Sequence, residues 1–360
     1  MNLESRSALI AMSGGVDSSV AAYQMQQAGY RCVGATMRLY DGQEAATQSC
    51  CSLEDVEDAR SVAARIGIPY YVFNFKEDFS SQVIDRFVHA YEAGATPNPC
   101  IDCNRYLKFD RMHRRARELG LEYVVTGHYA RITRENGRFL LKKGLDAGKD
   151  QSYVLYMLTQ EQLAHTLLPL GELHKEQVRA IAEAQGFLNA RKRDSQDICF
   201  VPDGDYAAFI RRQTGKAYAP GDFVDPQGHV LGRHRGIICY TVGQRRGLGV
   251  SGGRPLYVKE IRPEENVVVL ADDRELYENT LVAQAFNWIS MEAPQSPIRV
   301  LARARYHHPE QPATAQVLPD GQVRIVFDQP QRALTKGQAV VLYQGDTVVG
   351  GGRIDQVYST

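Results

Sequence analysis

The stretch LIAMSGGVDSS, Leu9 to Ser19, constrains this chain more than any other. An apolar run stops at two glycines, passes through an aspartate and serines, and enters a segment with helical spacing, DSSVAAYQMQQAG (17–29). The run is too short and too poorly flanked for a secretory signal or a membrane span. It reads as a buried strand that ends in a backbone-rich turn. Gly14 and Gly15 allow conformations and close approaches that a Cβ blocks. Successive backbone N–H groups then form an anion cradle, reinforced by the N-terminus of the following helix. Ser13, Ser18 and Ser19 add hydroxyls. The arrangement is a phosphate site, and Asp17 beside a phosphate calls for a compensating cation, for which Mg²⁺ is the ordinary choice.

Beyond Gly29 the chain keeps alternating between strand and helix. CVGATMRL (32–39), PYYVFNF (69–75) and LEYVVTGH (121–128) read as strands, and 53–67 and 78–93 as helices. This pattern predicts a parallel sheet with helices on both faces, and ligands in such sheets sit beyond the carboxyl ends of strands, where Met12, Met37 and Gly127 lie. From about residue 216 the chain turns glycine- and proline-rich with short β-like runs. We therefore expect a catalytic α/β domain over 1–215, a small β-rich central domain over 216–278 and a C-terminal β-barrel over 279–360. With 44% apolar residues the chain can build ordinary cores, and no apolar stretch is long enough for a bilayer.

Seven cysteines without a secretory signal argue against a disulfide scaffold and for a reducing, cytoplasmic setting. Cys100 and Cys103 lie in TPNPCIDCNRYLKF (96–109), and Cys199 in SQDICFV (195–201). No second pair supports a zinc ribbon, because Cys50 and Cys51 are adjacent. Pro97 and Pro99 favour an extended entry. A cysteine opening the helix NRYLKFDRMHRRARELG, close to Arg105 and Lys108, has a lowered pKa, and Cys103 fits that position. Cys32 and Cys239 sit in strand-like runs and read as packing residues.

The turn at 13–19 is neither GxxxxGK[ST] nor GxGxxG. It resembles the PP-loop, SGGxDS, of ATP pyrophosphatases. That group adenylates an oxygen of its substrate, releases pyrophosphate and lets a nucleophile displace AMP. The chain as a whole resembles the tRNA-specific 2-thiouridylase family. The matching blocks are AMSGGVDSSVAA, GATMRL, NPCIDCNRYLKF, TGHYAR, GKDQSYVLYML, DSQDICFV, YTVGQRRGLG, RARYHH and GGGRI.

The resemblance implies ATP-dependent replacement of the C2 oxygen of the wobble uridine by sulfur. It implies a PP-loop domain (adenine nucleotide alpha hydrolase-like), a central β domain and a barrel. It assigns ATP to Ala11, Met12, Ser13, Gly14, Gly15, Val16, Asp17, Ser18, Met37 and Gly127. Cys199 would accept sulfur as a persulfide, and Cys103 would free it by forming a disulfide with Cys199 or assist its transfer. Asn98, Pro99 and Cys100 match the target-base contact. Lys149, Asp150 and Gln151 match a tRNA contact, as do His128, Tyr306, His307 and Gln338.

Many members carry aspartate where this chain has Cys100. The family assigns that aspartate an acid/base role, so here either Cys100 does the job differently, or Asp102 substitutes, or the chemistry changes. Three thiols at 100, 103 and 199 would alternatively hold an iron–sulfur cluster. A more distant alternative is a PP-loop enzyme with a nitrogen nucleophile, which leaves Cys103 and Cys199 without a task.

The formal net charge is zero, so any nucleic-acid surface must be local. Five basic clusters exist, and Arg114, Arg115, Arg245 and Arg246 are the expected phosphate contacts. The expected partners are a tRNA with a wobble uridine, its target base flipped from the stack, and a persulfide-donating sulfur-relay protein or cysteine desulfurase. No membrane partner is expected.

Overall fold

The computed structural model describes residues 6–40, 53–192, 198–250 and 253–359. The chain divides into two compact units. The first comprises Met1–Val83, Cys100–Pro202 and Gly345–Val348, and the second Ile84–Pro99, Asp203–Gln344 and Val349–Thr360.

The first unit is built on β1 (Ser7–Ala11), whose Ala8, Leu9 and Ile10 are completely buried. Burial on both faces is what a central parallel strand requires. β1 pairs in parallel with β2 (Arg31–Arg38) on one side and β4 (Tyr123–Val125) on the other, with Ala8 opposite Cys32 and Tyr123. β3 (Tyr70–Asn74) adds outside β2, and the short strand Thr166–Leu167 outside β4. The order β3-β2-β1-β4 reverses direction at β1, which opens a crevice beyond the carboxyl ends of β1 and β4. α1 (Val16–Gln27) packs against α2 (Leu53–Ile66) and the helix Lys175–Ala184 over this sheet.

Within this unit the helix Met112–Glu118 lays His113 against β4, with Nε2 3.1 Å from the Thr166 hydroxyl. Burial, with smaller contributions from His165 and Arg117, pushes this imidazole down to about 4. An unfolded histidine titrates near about 6.5, so the unfolded chain takes up the proton first. Above that pH His113 imposes no penalty. Between there and about 4 it progressively destabilises the fold, by roughly 3 kcal/mol at full extent. Urea titrations at pH 7.5 and 5 should therefore show a larger loss for the wild type than for His113→Gln. Equal losses would remove His113 as the cause.

The second unit holds two β assemblies. A four-stranded sheet runs in the order Tyr257–Arg262, Val267–Ala271, Gly221–Val224, Val230–His234, around a core of Phe223, Tyr240, Val258, Val268 and Leu270. A six-stranded barrel follows in the order Tyr277–Trp288, Val323–Arg332, Gln311–Val317, Ile298–Arg303, Ala339–Gln344, Thr347–Tyr358. It is closed by pairing of the last strand with the first. Closure removes the sheet edges, and alternate residues such as Ala313, Ala315, Val323 and Ile325 fill the interior. The α/β unit, the β-rich middle segment and the barrel agree with the expected architecture.

One helix begins earlier than expected. The helical run that carries the basic residues starts at Pro99, continues as a π-helix over Cys103–Arg111 and ends with Met112–Glu118. Proline is pre-organised for the first helical position, where its missing N–H costs nothing. Cys100 thus occupies the first turn and Cys103 lies one turn in, so the helix terminus acts on Cys100 rather than on Cys103.

Candidate nucleotide and thiol site

β1 ends at the crevice, where Met12 is tied to β2 by its N–H donating to Ala35 O (2.9 Å) and its carbonyl accepting from the Thr36 hydroxyl (2.6 Å). The turn after it is pinned from inside. Ser13 N–H donates to Ser18 Oγ (3.1 Å), and the Ser18 and Ser19 hydroxyls both donate to Gly15 O (3.0 Å each). Those hydroxyls shape the loop rather than pointing to a ligand. Asn189, 3% exposed, donates from Nδ2 to Gly14 O and Ser19 Oγ, both at 2.9 Å.

Gly14 has φ +73°, and a Cβ there would lie 2.4 Å from the Asp55 carbonyl oxygen. Gly127, just beyond β4, sits so close that its Cβ would fall 2.8 Å from Asp17 C and Ser18 N. α1 begins behind Gly15 with no side chain capping its first turn. An uncapped helix start of this kind is what a phosphate cradle requires. Ala11 through Ser18 and Gly127 thus gather at one place, and Met37 lies at the carboxyl end of the adjoining β2.

The partners of Asp17 are not those the sequence suggests. Lys175 Nζ contacts both carboxylate oxygens, at 2.7 and 2.8 Å, and the Tyr129 hydroxyl donates to Oδ1 at 2.7 Å. The ammonium also lies 5.8 Å from the Tyr129 ring centre, and the Lys175 side chain is only 10% exposed. The sequence calls for a cation such as Mg²⁺ beside Asp17; the structure places an ammonium there, from a helix 158 residues away. A divalent ion bound directly to Asp17 would have to displace it. Nothing local in HKEQVRAIAEAQG distinguishes this lysine from one on a solvated helix face.

Tyr129 is in turn held by Gln151, whose Oε1 accepts from Tyr129 N–H (3.0 Å) and whose N–H donates to Tyr129 O (2.9 Å). Asp150 accepts from Gly144 N–H, Ser152 N–H and the Ser152 hydroxyl. The side chains of Asp150 and Gln151 therefore brace the loop that carries half-exposed Lys149. His128 is buried, with Nδ1 2.7 Å from the Thr126 hydroxyl and its ring against Phe109. Burial, aided by nearby Lys108, holds it well below the ordinary histidine range, so it is a neutral packing group at physiological pH.

Cys100 is exposed, while Cys103 and Cys199 are half-buried. The elements carrying the last two meet at one turn. Lys76–Phe79 packs against the π-helix of Cys103. The Phe79 ring stands edge-on to Phe200, beside Cys199, and to Tyr40. Among the described residues, no three His, Cys, Asp or Glu side chains are grouped to hold a metal, so Cys100, Cys103 and Cys199 do not present a cluster site. Cys50 and Cys51 lie outside the described residues. Cys32 is buried, and its thiol is pushed up to about 11 by burial, as suits packing; Cys239 is half-buried.

In the second unit Gln338 is 8% exposed and donates from Nε2 to Thr96 O (2.7 Å), while Thr96 N–H donates to Lys336 O (2.9 Å). It grips the chain just before Asn98 and Pro99. Arg305 donates to the Thr335 hydroxyl (3.1 Å) in the same turn. Exposed His307 stacks edge-on to Tyr306, and the Arg303 guanidinium lies 5.6 Å from the Tyr306 ring centre. Burial and the surrounding Arg305, Arg332 and Arg303 lower the pKa of His308. The basic run 111–117 is largely neutralised by Asp78, Asp110, Glu118 and Glu161. Arg245 and Arg246 are exposed in a loop whose Gly243, Gly247 and Gly249 all have positive φ, and among the described residues neither has a carboxylate partner.

Three family models match in succession. They are a tRNA methyl transferase HUP domain over 6–203, a tRNA methyl transferase PRC-barrel domain over 207–272 and an aminomethyltransferase beta-barrel domain over 278–354. The chain is 52% identical to a tRNA-specific 2-thiouridylase MnmA of Lachnoclostridium phytofermentans, across 96% of this chain and 98% of that one. It is 50% identical to the protein of that name in Clostridioides difficile, across 97% and 98%. The domain descriptions speak of methyl transfer, while the full-length relatives are thiouridylases. Among the described residues, no helix is long and apolar enough to cross a membrane.

Proposed function

Because the chain belongs to the tRNA-specific 2-thiouridylase family, we propose that it uses ATP to replace the C2 oxygen of the wobble uridine of tRNA with sulfur carried on Cys199. The enzyme is a sulfurtransferase acting on tRNA uridine. The observation that carries this reading is the pairing of an anion cradle at 13–18 with two cysteine-bearing elements converging on Phe79 within one unit.

ATP supplies an adenylate that turns the poor leaving group at C2 into AMP. The chain's own residues do the rest. The loop amides and the α1 terminus receive the phosphates, and Lys175 keeps Asp17 neutralised at their edge. The Cys199 thiolate attacks the outer sulfur of a donor persulfide, and the donor leaves as a thiolate. The Cys103 thiolate then attacks Cys199 Sγ. Hydrosulfide departs, a Cys103–Cys199 disulfide forms, and the hydrosulfide displaces AMP at C2. A dithiol reductant restores the two thiols. Asp102, in the same helical turn as Cys100, offers a carboxylate where many family members have theirs at position 100. The donor is a sulfur-relay protein or a cysteine desulfurase, and the setting is the cytoplasm.

The test is incubation with ATP, magnesium, unmodified tRNA and a persulfidated donor protein. The reading expects AMP, pyrophosphate and 2-thiouridine in equal amounts, with pyrophosphate release dependent on tRNA. Pyrophosphate release supported by an amine in place of the sulfur donor, without thiolation, would favour the nitrogen-nucleophile alternative.

A further inference from the structure

The Tyr40 hydroxyl lies 3.3 Å from Cys199 Sγ. Tyr40 lies just beyond β2, and its ring is fixed edge-on to Phe79, with centres 5.0 Å apart at 77°. Phe79 is 1% exposed and also stands edge-on to Phe200, at 5.7 Å and 77°. Cys199 itself sits in a tight turn closed by Val201 N–H donating to Ile198 O (2.9 Å). The phenol ring is therefore held by packing and the thiol by its closed backbone turn, the two at hydrogen-bonding distance although 159 residues apart in sequence.

We propose that Tyr40 is a positioning residue for sulfur transfer, donating its phenolic hydrogen to the Cys199 sulfur so that the thiolate is formed and aimed for attack on the donor persulfide. The proposal rests on the persulfide reading of Cys199. A thiol is a stronger acid than a phenol, so opposite a thiolate the phenol is the donor of the pair. A hydrogen bond to the charged form stabilises it and is stronger than a neutral one. In the transfer step the thiolate electron pair forms the new S–S bond while the donor's S–S bond breaks and its thiolate leaves. The phenolic proton stays on Tyr40.

Tyr40→Phe keeps the ring and removes only the donor. The reaction of Cys199 with iodoacetamide, followed by peptide mass spectrometry across a pH series from about 6 to about 10, should show its inflection moved up by about one pH unit, with Cys103 as the internal reference. Alkylation and tRNA thiolation at neutral pH should both fall roughly tenfold, and thiolation should recover as pH rises. An unchanged Cys199 inflection overturns the proposal. If Cys199→Ser thiolates normally, the persulfide reading fails, whatever the alkylation profile of Tyr40→Phe.

Discussion

Cys199→Ser is expected to abolish thiolation from a protein persulfide, by about a thousandfold or more, while ATP binding is retained. A serine hydroxyl is far too weakly acidic to act as the nucleophile at neutral pH and cannot carry a sulfane sulfur. The phosphate cradle at Ser13–Ser18 is held by β1, β2 and Asn189, none of which depends on this thiol. Cys103→Ser should lose multiple turnover to a similar extent yet still accept sulfur, leaving a persulfide on Cys199 that mass spectrometry detects. The two variants thus separate loading from release. Normal-rate thiolation by the double serine variant would end the cysteine-relay mechanism.

The second large effect belongs to the loop. Gly14→Ala is expected to destabilise the first unit by about 2 to 5 kcal/mol and to remove measurable nucleotide binding. The new Cβ would meet Asp55 O at 2.4 Å and Asp55 Cα at 2.7 Å, all backbone that cannot swing aside, from a residue at φ +73°. Gly15→Ala is the control. Its φ is −87°, and the nearest atom to its Cβ is Ser13 Oγ at an ordinary 3.5 Å. That variant should fold within about 1 kcal/mol of the wild type. Denaturation curves on both proteins read the contrast in stability, and nucleotide-induced thermal shifts on Gly14→Ala against the wild type read the loss of binding. Equal behaviour of the two would mean that the fit against Asp55 is not what the loop requires.

The parts of the molecule written in local sequence were legible. Strand β1, its glycine turn and α1 announce themselves because burial, backbone freedom and helical spacing succeed one another within one short stretch. The barrel strands show their period of two in the same way. Features made by contacts between distant segments stayed hidden. Lys175 on Asp17 and Asn189 on Gly14 have no local marker, since an ammonium or an amide looks the same on a solvated face. Gln338 matched the family's tRNA contact, and the structure shows it holding Thr96, which only the folded turn reveals. The helix start moved from Asn104 to Pro99 because prolines before a helix favour an extended entry, whereas here the second of them is itself the first helical residue.

The first unit also takes in four residues from near the far end of the chain, Gly345–Val348. Asp346 O accepts from Lys143 N–H (2.8 Å), its carboxylate bridges to Arg131 (2.7 Å), and Thr347 pairs with Lys142. During synthesis the hairpin Ala130–Lys143 emerges long before these partners do, since Arg131 and Asp346 are 215 residues apart. The hairpin closes on itself over Ala130–Lys143, so what waits for the far segment is its outer edge, and a ribosome stalled short of residue 345 would hold that hairpin without its Asp346 and Thr347 partners.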